Sequence, residues 1–172
     1  TPLTVTVTID GSKFDKVYDG TAATEESDNN SSVNSVISGD EVFAVGSFAY
    51  DDKNAGDNKT VTMSNITLQG VDSGNYKVIN ETASDAGAVI TKANLTLKVN
   101  DQGDITYGDK ISPDHTAETL LGTDTVSYVT FTVDGKDYNA DTYYGSGTHT
   151  IAIKEYTLND GNNGGNYNVR LE

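Results

Sequence analysis

Leu3, Val5, Val7 and Ile9 alternate with Thr4, Thr6 and Thr8, and Ala93, Leu95, Leu97 and Val99 repeat that alternation 90 residues later. A period of two built on β-branched residues marks a strand with one buried face. The repetition constrains the chain more than either strand alone. Tyr18 maps onto Tyr107 at an offset of 89, Gly56 onto Gly145 at 89, and Asn75-Tyr76 onto Asn166-Tyr167 at 91. Landmarks in one order at nearly one offset predict two copies of a single β unit. The boundary falls near Ile90-Thr91-Lys92, which assigns residues 1–91 to a first unit and 92–172 to a second. No Gly/Ser-rich or Pro-rich linker separates them. We therefore expect an all-β chain of two tandem small β-sandwich modules, Ig-like or β-grasp-like, laid end to end.

Shorter alternations support that class: Val129, Phe131 and Val133; Ile151 and Ile153; Val61 and Met63; Ile66 and Leu68; Tyr76 and Val78. Between them lie turn clusters such as Asp10-Gly11-Ser12, Asp19-Gly20, Ser38-Gly39-Asp40, Asp134-Gly135-Lys136 and Asn159-Asp160-Gly161-Asn162. Asp-Gly and Asn-Gly pairs accept the positive φ that tight hairpins require. Helix is expected only as a turn or two over His115–Leu121. The polar run Glu25–Ser35 is expected to form a long loop.

The tyrosines of the repeat sit beside turns. A tyrosine can bury its ring and keep its hydroxyl at a wet rim, where it bonds a backbone group. Immunoglobulin-like sandwiches pin a corner in this way. On this reading Tyr18, Asp19, Gly20, Asn75 and Tyr76 are structural in the first unit, and Tyr107, Asn166 and Tyr167 in the second.

Charge narrows the partners. The net charge is −15, with 14 acidic against 5 basic residues in 1–91 and 12 against 6 in 92–172. Such a field repels nucleic acid and anionic membrane surfaces. No apolar run reaches the length of a membrane span, so no membrane insertion is expected. With no cysteine there is no disulfide, zinc-thiolate site or cysteine nucleophile.

Candidate chemistry is sparse. Asp51, Asp52, Asn54 and Asp57 crowd one Gly-containing turn, and Asp160, Asn162, Asn163 and Asn166 another. Calcium, which takes six to eight oxygens, is the one cofactor such turns suggest, although neither has the EF-hand spacing. Asp and Asn also make turns by bonding their own backbone, and we favour that reading over a metal site. His115 and His149 lie apart, no G-x-S-x-G is present, and spread acids are normally a solvated face, so no enzyme activity is expected. A lysine–asparagine cross-link would need a desolvated lysine; Lys16, Lys77 and Lys98 sit at alternating strand positions. Lys13, Lys16 and Lys98 would guard strand edges against aggregation. Tyr143 and Tyr144, with Tyr138 and Tyr156 near in sequence, could form an aromatic platform for a sugar.

KVYDGTAAT at Lys16–Thr24, SGDEV at Ser38–Val42, DKNAGDNKTVTMSNITLQG at Asp52–Gly70, DSGNYKV at Asp72–Val78 and AGAVITKA at Ala86–Ala93 together resemble the YDG domain, in that family's order across nearly the whole first unit. ITYGD at Ile105–Asp109, Gly122–Asp124, YYGSGTHTI over 143–151 and NYNV at Asn166–Val169 resemble the related MBG domain, which often follows YDG repeats. The resemblance implies repeats of large bacterial surface or secreted adhesins, located outside the cell on the surface or cell wall, and it brings no catalytic residue. We accordingly read the chain as a segment of a longer protein. The expected function is that of a stalk module projecting a binding region, monomeric, with neighbouring repeats as partners. The alternative is an adhesive module for a host glycan or protein.

Overall fold

The computed structural model describes residues 1–24 and 30–172. The fold is all-β. No α-helix occurs among the described residues, and short 3-10 turns occur at Gly11–Phe14 and Ser73–Asn75. The chain divides into two compact units, Thr1–Thr91 and Lys92–Glu172.

Unit 1 contains β1 (Leu3–Ile9), β2 (Lys16–Val17), β3 (Ser31–Asn34), β4 (Phe43–Tyr50), β5 (Gly56–Gln69), β6 (Tyr76–Val78) and β7 (Ala83–Thr91). They form a three-stranded sheet, β3-β1-β6, and a four-stranded sheet, β2-β7-β5-β4. β1 runs antiparallel to β3 and parallel to β6, with Leu3 opposite Tyr76. The threonine alternation of β1 puts Val5 and Val7 inside, at 1% and 2% exposure. Val61 and Met63 of β5 and Ala88 and Ile90 of β7 are buried as well. The rings of Phe14 and Phe48 pack 5.1 Å apart in the same core.

Unit 2 contains β8 (Ala93–Val99), β9 (His115–Glu118), β10 (Thr125–Val133), β11 (Lys136–Asp137), β12 (Ile151–Asn159) and β13 (Tyr167–Leu171). Its sheets are β13-β8-β9 and β11-β10-β12. The first repeats β3-β1-β6: β8 is parallel to β13, with Ala93 opposite Tyr167, and antiparallel to β9. Leu95 and Leu97 take the inward places of Val5 and Val7.

Three local expectations are corrected. His115–Leu121 is no helix: His115–Glu118 is β9, pairing Val99 with His115 and Leu97 with Ala117. Cross-strand pairing outweighs the weak helical tendency of so short a run. Within Glu25–Ser35, Ser31–Asn34 is a strand, β3, because β1 offers it an edge. Residues 25–29 of that expected loop lie outside the described residues. Both short strands end alike, Ser35 at φ 70 and Thr119 at φ 69, each directly after the last strand residue. Lys98 guards no edge either, since β8 is the central strand of its sheet.

Candidate functional site

The most developed constellation occurs once in each unit, where a tyrosine docks on a turn. Asn75-Tyr76 opens β6, and alignment of β6 against β1 carries the buried ring toward the Ile37–Asp40 turn. That turn is closed by the Asp40 N–H donating to the Ile37 carbonyl at 3.1 Å. The Tyr76 hydroxyl accepts from the Ile37 N–H at 3.0 Å and donates to Asp40 Oδ2 at 2.6 Å. Asp40, by holding that proton, raises the pKa of the phenol. In unit 2, Asn166-Tyr167 opens β13. The Asp124 N–H donates to the Leu121 carbonyl at 3.1 Å. The Tyr167 hydroxyl accepts from the Leu121 N–H at 2.9 Å and donates to Asp124 Oδ2 at 2.7 Å. A hydroxyl held between an N–H and a carboxylate fixes both the ring and the turn. The turn aspartates, Asp40 and Asp124, were not singled out from sequence. Ile-Ser-Gly-Asp and Leu-Gly-Thr-Asp each follow a short strand and precede a long one, but the short strands carry no apolar alternation that would mark them in the sequence.

The other repeated motif diverges between units. In KVYDG, the Lys16 ammonium folds over its own turn. It donates to Asp19 at 2.9 and 3.0 Å and to the carbonyls of Thr21 and Ala23, each at 2.9 Å. Asp19 also accepts the Thr21 N–H at 2.9 Å, and Gly20 sits at φ 83. Tyr18 is buried, and its N–H reaches the Thr91 carbonyl of β7 at 2.8 Å. In ITYGD the Asp109 carboxylate and N–H both bond Thr106, closing a plain turn. Tyr107 is 81% exposed. It is not the buried corner that its alignment with Tyr18 suggested.

The acidic turns are held by internal partners. Asp51 and Asp52 face Lys59 Nζ at 3.0 and 2.6 Å. Asp52 also accepts the Asn54 N–H at 2.7 Å, while Asp57 is exposed on β5. The hydrogen bond from Lys59 holds the Asp52 carboxyl below the usual range. Burial opposes the Lys59 charge, yet Asp52 and Asp51 outweigh it and raise the ammonium pKa. Lys59 is the buried lysine of the chain's described part, 7% exposed. Sequence reasoning passed over it, although Lys59, Val61 and Met63 fall on one face by alternation. Lys77 and Lys98 are exposed, and Lys16 ends on its own turn.

In the second acidic turn, Asp160 is 1% exposed. One of its oxygens accepts the N–H groups of Asn162 and Gly164 at 2.8 and 2.9 Å, the other that of Asn166 at 3.1 Å. Burial pushes this carboxyl up, but the N–H groups of Gly164, Asn162 and Asn166 prevail and its pKa falls. Asn166 completes the loop, accepting from Asn162 Nδ2 at 2.9 Å and donating to the Asp160 carbonyl at 3.1 Å. Asn75, its counterpart, closes the 3-10 turn before β6 through its N–H to the Asp72 carbonyl at 2.9 Å. Among the described residues no group of three or more His, Asp or Glu side chains is arranged to hold a metal ion.

Of the proposed aromatic platform, Tyr143 is 65% exposed with the Lys110 ammonium 5.5 Å from its ring. Tyr144 instead packs edge-on against His149, with ring centres 5.6 Å apart. Tyr138 turns away and bonds the Ile111 carbonyl at 2.8 Å. Tyr156 is exposed on β12, opposite Val129 of β10. His149 bridges the Gly145 carbonyl at 2.8 Å and Asp134 at 2.7 Å.

Compared with known proteins, residues 1–86 match the family model of the YDG domain. No curated protein and no solved structure matches the chain.

Proposed function

The chain belongs to the YDG domain family through its first half, and from that premise we propose that it is a non-catalytic stalk module of a bacterial adhesin, with an MBG-like second unit. It acts outside the cell, on the surface or cell wall, and holds a binding region away from its anchor. Neighbouring repeats are its partners. The observation that carries this reading is the tyrosine–turn lock made twice, at Tyr76 with Asp40 and at Tyr167 with Asp124. A binding module varies its site from copy to copy, whereas a stalk repeats the parts that keep each copy folded. The buried ionisable groups agree: Lys59 and Asp160 each hold a turn of their own unit.

The test is replacement in the parent adhesin. Exchanging residues 1–172 for an unrelated rigid β module of the same length should leave adhesion intact, while deleting them should weaken it. Loss of adhesion on exchange would refute the stalk reading. A second reading, binding of a host glycan or protein, is favoured by the exposed Tyr143 beside Lys110. It requires micromolar binding of the isolated chain to a glycan panel, removed by Tyr143→Ala without unfolding.

A further inference from the structure

In unit 2 the pairing of β10 with β12 is irregular at one point that gathers charge. Thr130 stands opposite Glu155 and Phe131 opposite Ile153, so Lys154 is an extra residue in a bulge. A bulge re-aims the side chain it carries. The Lys154 ammonium meets the two oxygens of the Asp137 carboxylate at 2.8 and 2.9 Å. Asp137 lies on β11 and Lys154 on β12, with β10 between them, so the ion pair spans this sheet. The hydrogen bond to Asp137 raises the Lys154 pKa, and Glu155 adds to that.

These groups border a cavity of about 470 Å³. Small-molecule sites run from roughly 300 to 1,000 Å³. The lining divides by chemistry. Pro113, Phe131 and Tyr138 supply apolar surface, and the Tyr138 hydroxyl pins its ring by donating to the Ile111 carbonyl at 2.8 Å. Tyr128 adds a ring that is 54% exposed. Asp137, Lys154 and Glu155 supply acceptors and donors together. Thr130, on the same lining, has a hydroxyl closed off from solvent and without a hydrogen-bond partner among the described residues. An unpaired buried hydroxyl is uncommon in a folded protein. A ligand hydroxyl reaches it once the lining side chains shift, and the bond gained favours that shift.

We propose that this cavity binds one uncharged sugar unit of a glycan, its ring against Tyr128 and its hydroxyls among Asp137, Lys154 and Glu155. A pyranose presents C–H groups to the electron-rich face of an aromatic ring. Its hydroxyls both donate and accept, which suits a lining that holds carboxylates and an ammonium side by side. A proline-rich peptide also takes aromatic grooves, yet its prolines have no N–H to give to two carboxylates. An anionic sugar meets two carboxylates against one ammonium here, in a unit with an acidic surplus throughout. The site does not depend on the stalk reading, and it lies apart from Tyr143, which is not in this lining.

The test titrates the chain with glucose, galactose, mannose, N-acetylglucosamine and lactose, read by amide NMR. At least one of them should shift the amides of Tyr128–Phe131 and Lys154–Glu155 and saturate in the millimolar range. Tyr128→Ala and Glu155→Gln should each weaken that binding at least about tenfold. Tyr128→Phe keeps the ring and should weaken it less than about threefold. Absence of shifts with every one of these sugars overturns the proposal. So does tighter binding of sialyllactose than of lactose. Shifts produced by a proline hexapeptide and by no sugar assign the cavity to a peptide and overturn it too. Loss of the shifts in Tyr143→Ala but not in Tyr128→Ala assigns the sugar to the Tyr143 loop and overturns the site on β10. Should Tyr128→Ala unfold unit 2, unchanged binding in Glu155→Gln is the overturning result.

Discussion

Single side chains in this molecule act mainly by joining a loop to a strand. Tyr167 and Asp124 are 3% and 7% exposed, so their hydrogen bond is made out of water's reach. Tyr167→Phe removes a bond to a charged acceptor and should cost unit 2 about 1.5–3 kcal/mol, read as a lowered urea midpoint. Tyr76→Phe should lower the midpoint of unit 1 alone. Lys59 allows a sharper comparison. Its ammonium is buried while Asp51 and Asp52 are about half exposed. Lys59→Met leaves two acids that water can solvate, for a loss of about 1 kcal/mol, discounted for that exposure. Asp51→Asn with Asp52→Asn leaves a buried cation without its counter-charges and should cost about 2–3 kcal/mol. Equal losses, measured by urea unfolding, would contradict this account. The tyrosines were legible in the sequence because a repeated Asn-Tyr stands out. Their aspartate partners were not, since Asp before a strand is what any turn looks like.

Strands were legible where alternation was long, as in β1 and β8, and illegible where pairing alone decides. Ser31–Asn34 and His115–Glu118 are polar four-residue segments with no apolar face to read. They become strands because β1 and β8 present an edge at the right distance. The β10–β11 hairpin shows local chemistry prevailing instead. Asp134 and Gly135 take φ 50 and 75, the pair of positive values that a two-residue hairpin loop demands. Asp134 then anchors the long connection to β12, bonding His149 and the Thr150 N–H. The Gly145 carbonyl and the Asp134 carboxylate both raise the His149 pKa, because only the imidazolium donates from both ring nitrogens. His149 in turn lowers the Asp134 pKa. A raised histidine stabilises the fold fully below its unfolded value, about 6.5, and ceases to do so as pH rises through its folded value. A lowered aspartate stabilises above about 3.9 and ceases to do so as pH falls through its folded value. The connection should therefore be most ordered between about pH 4 and 6.5. Amides 145–150 should exchange faster at pH 8, after correction for intrinsic rates, and His149→Gln should abolish that dependence.

At the scale of the molecule, the two units differ in how much core they enclose. Among the described residues, unit 1 buries apolar side chains from Val5 to Ile90 on five strands, with Phe14 and Tyr18 beside them, while unit 2 buries a shorter set from Ala93 to Tyr167 on four, with Ile111. Among the described residues, the second sheet has four strands in unit 1 and three in unit 2. The fraction of surface buried on folding rises with domain size, so small cores are the marginal ones. Acidic self-repulsion bears on both units, since the surplus is nine charges in residues 1–91 and six in 92–172. Unit 1 carries the larger repulsion, and ion pairs offset part of it in both units, at Lys59 and Lys16 in the first and at Lys110 and Lys154 in the second. The expected unfolding in urea is thus two-step, with the amides of β8, β10 and β12 losing protection before those of β1, β5 and β7. A single transition could still arise from two equal stabilities, so the decisive measurement combines the scan with Tyr167→Phe. That substitution should lower the first step and leave the second in place. If both steps move together, the units fold as one cooperative block, and the picture of separately cored modules is wrong.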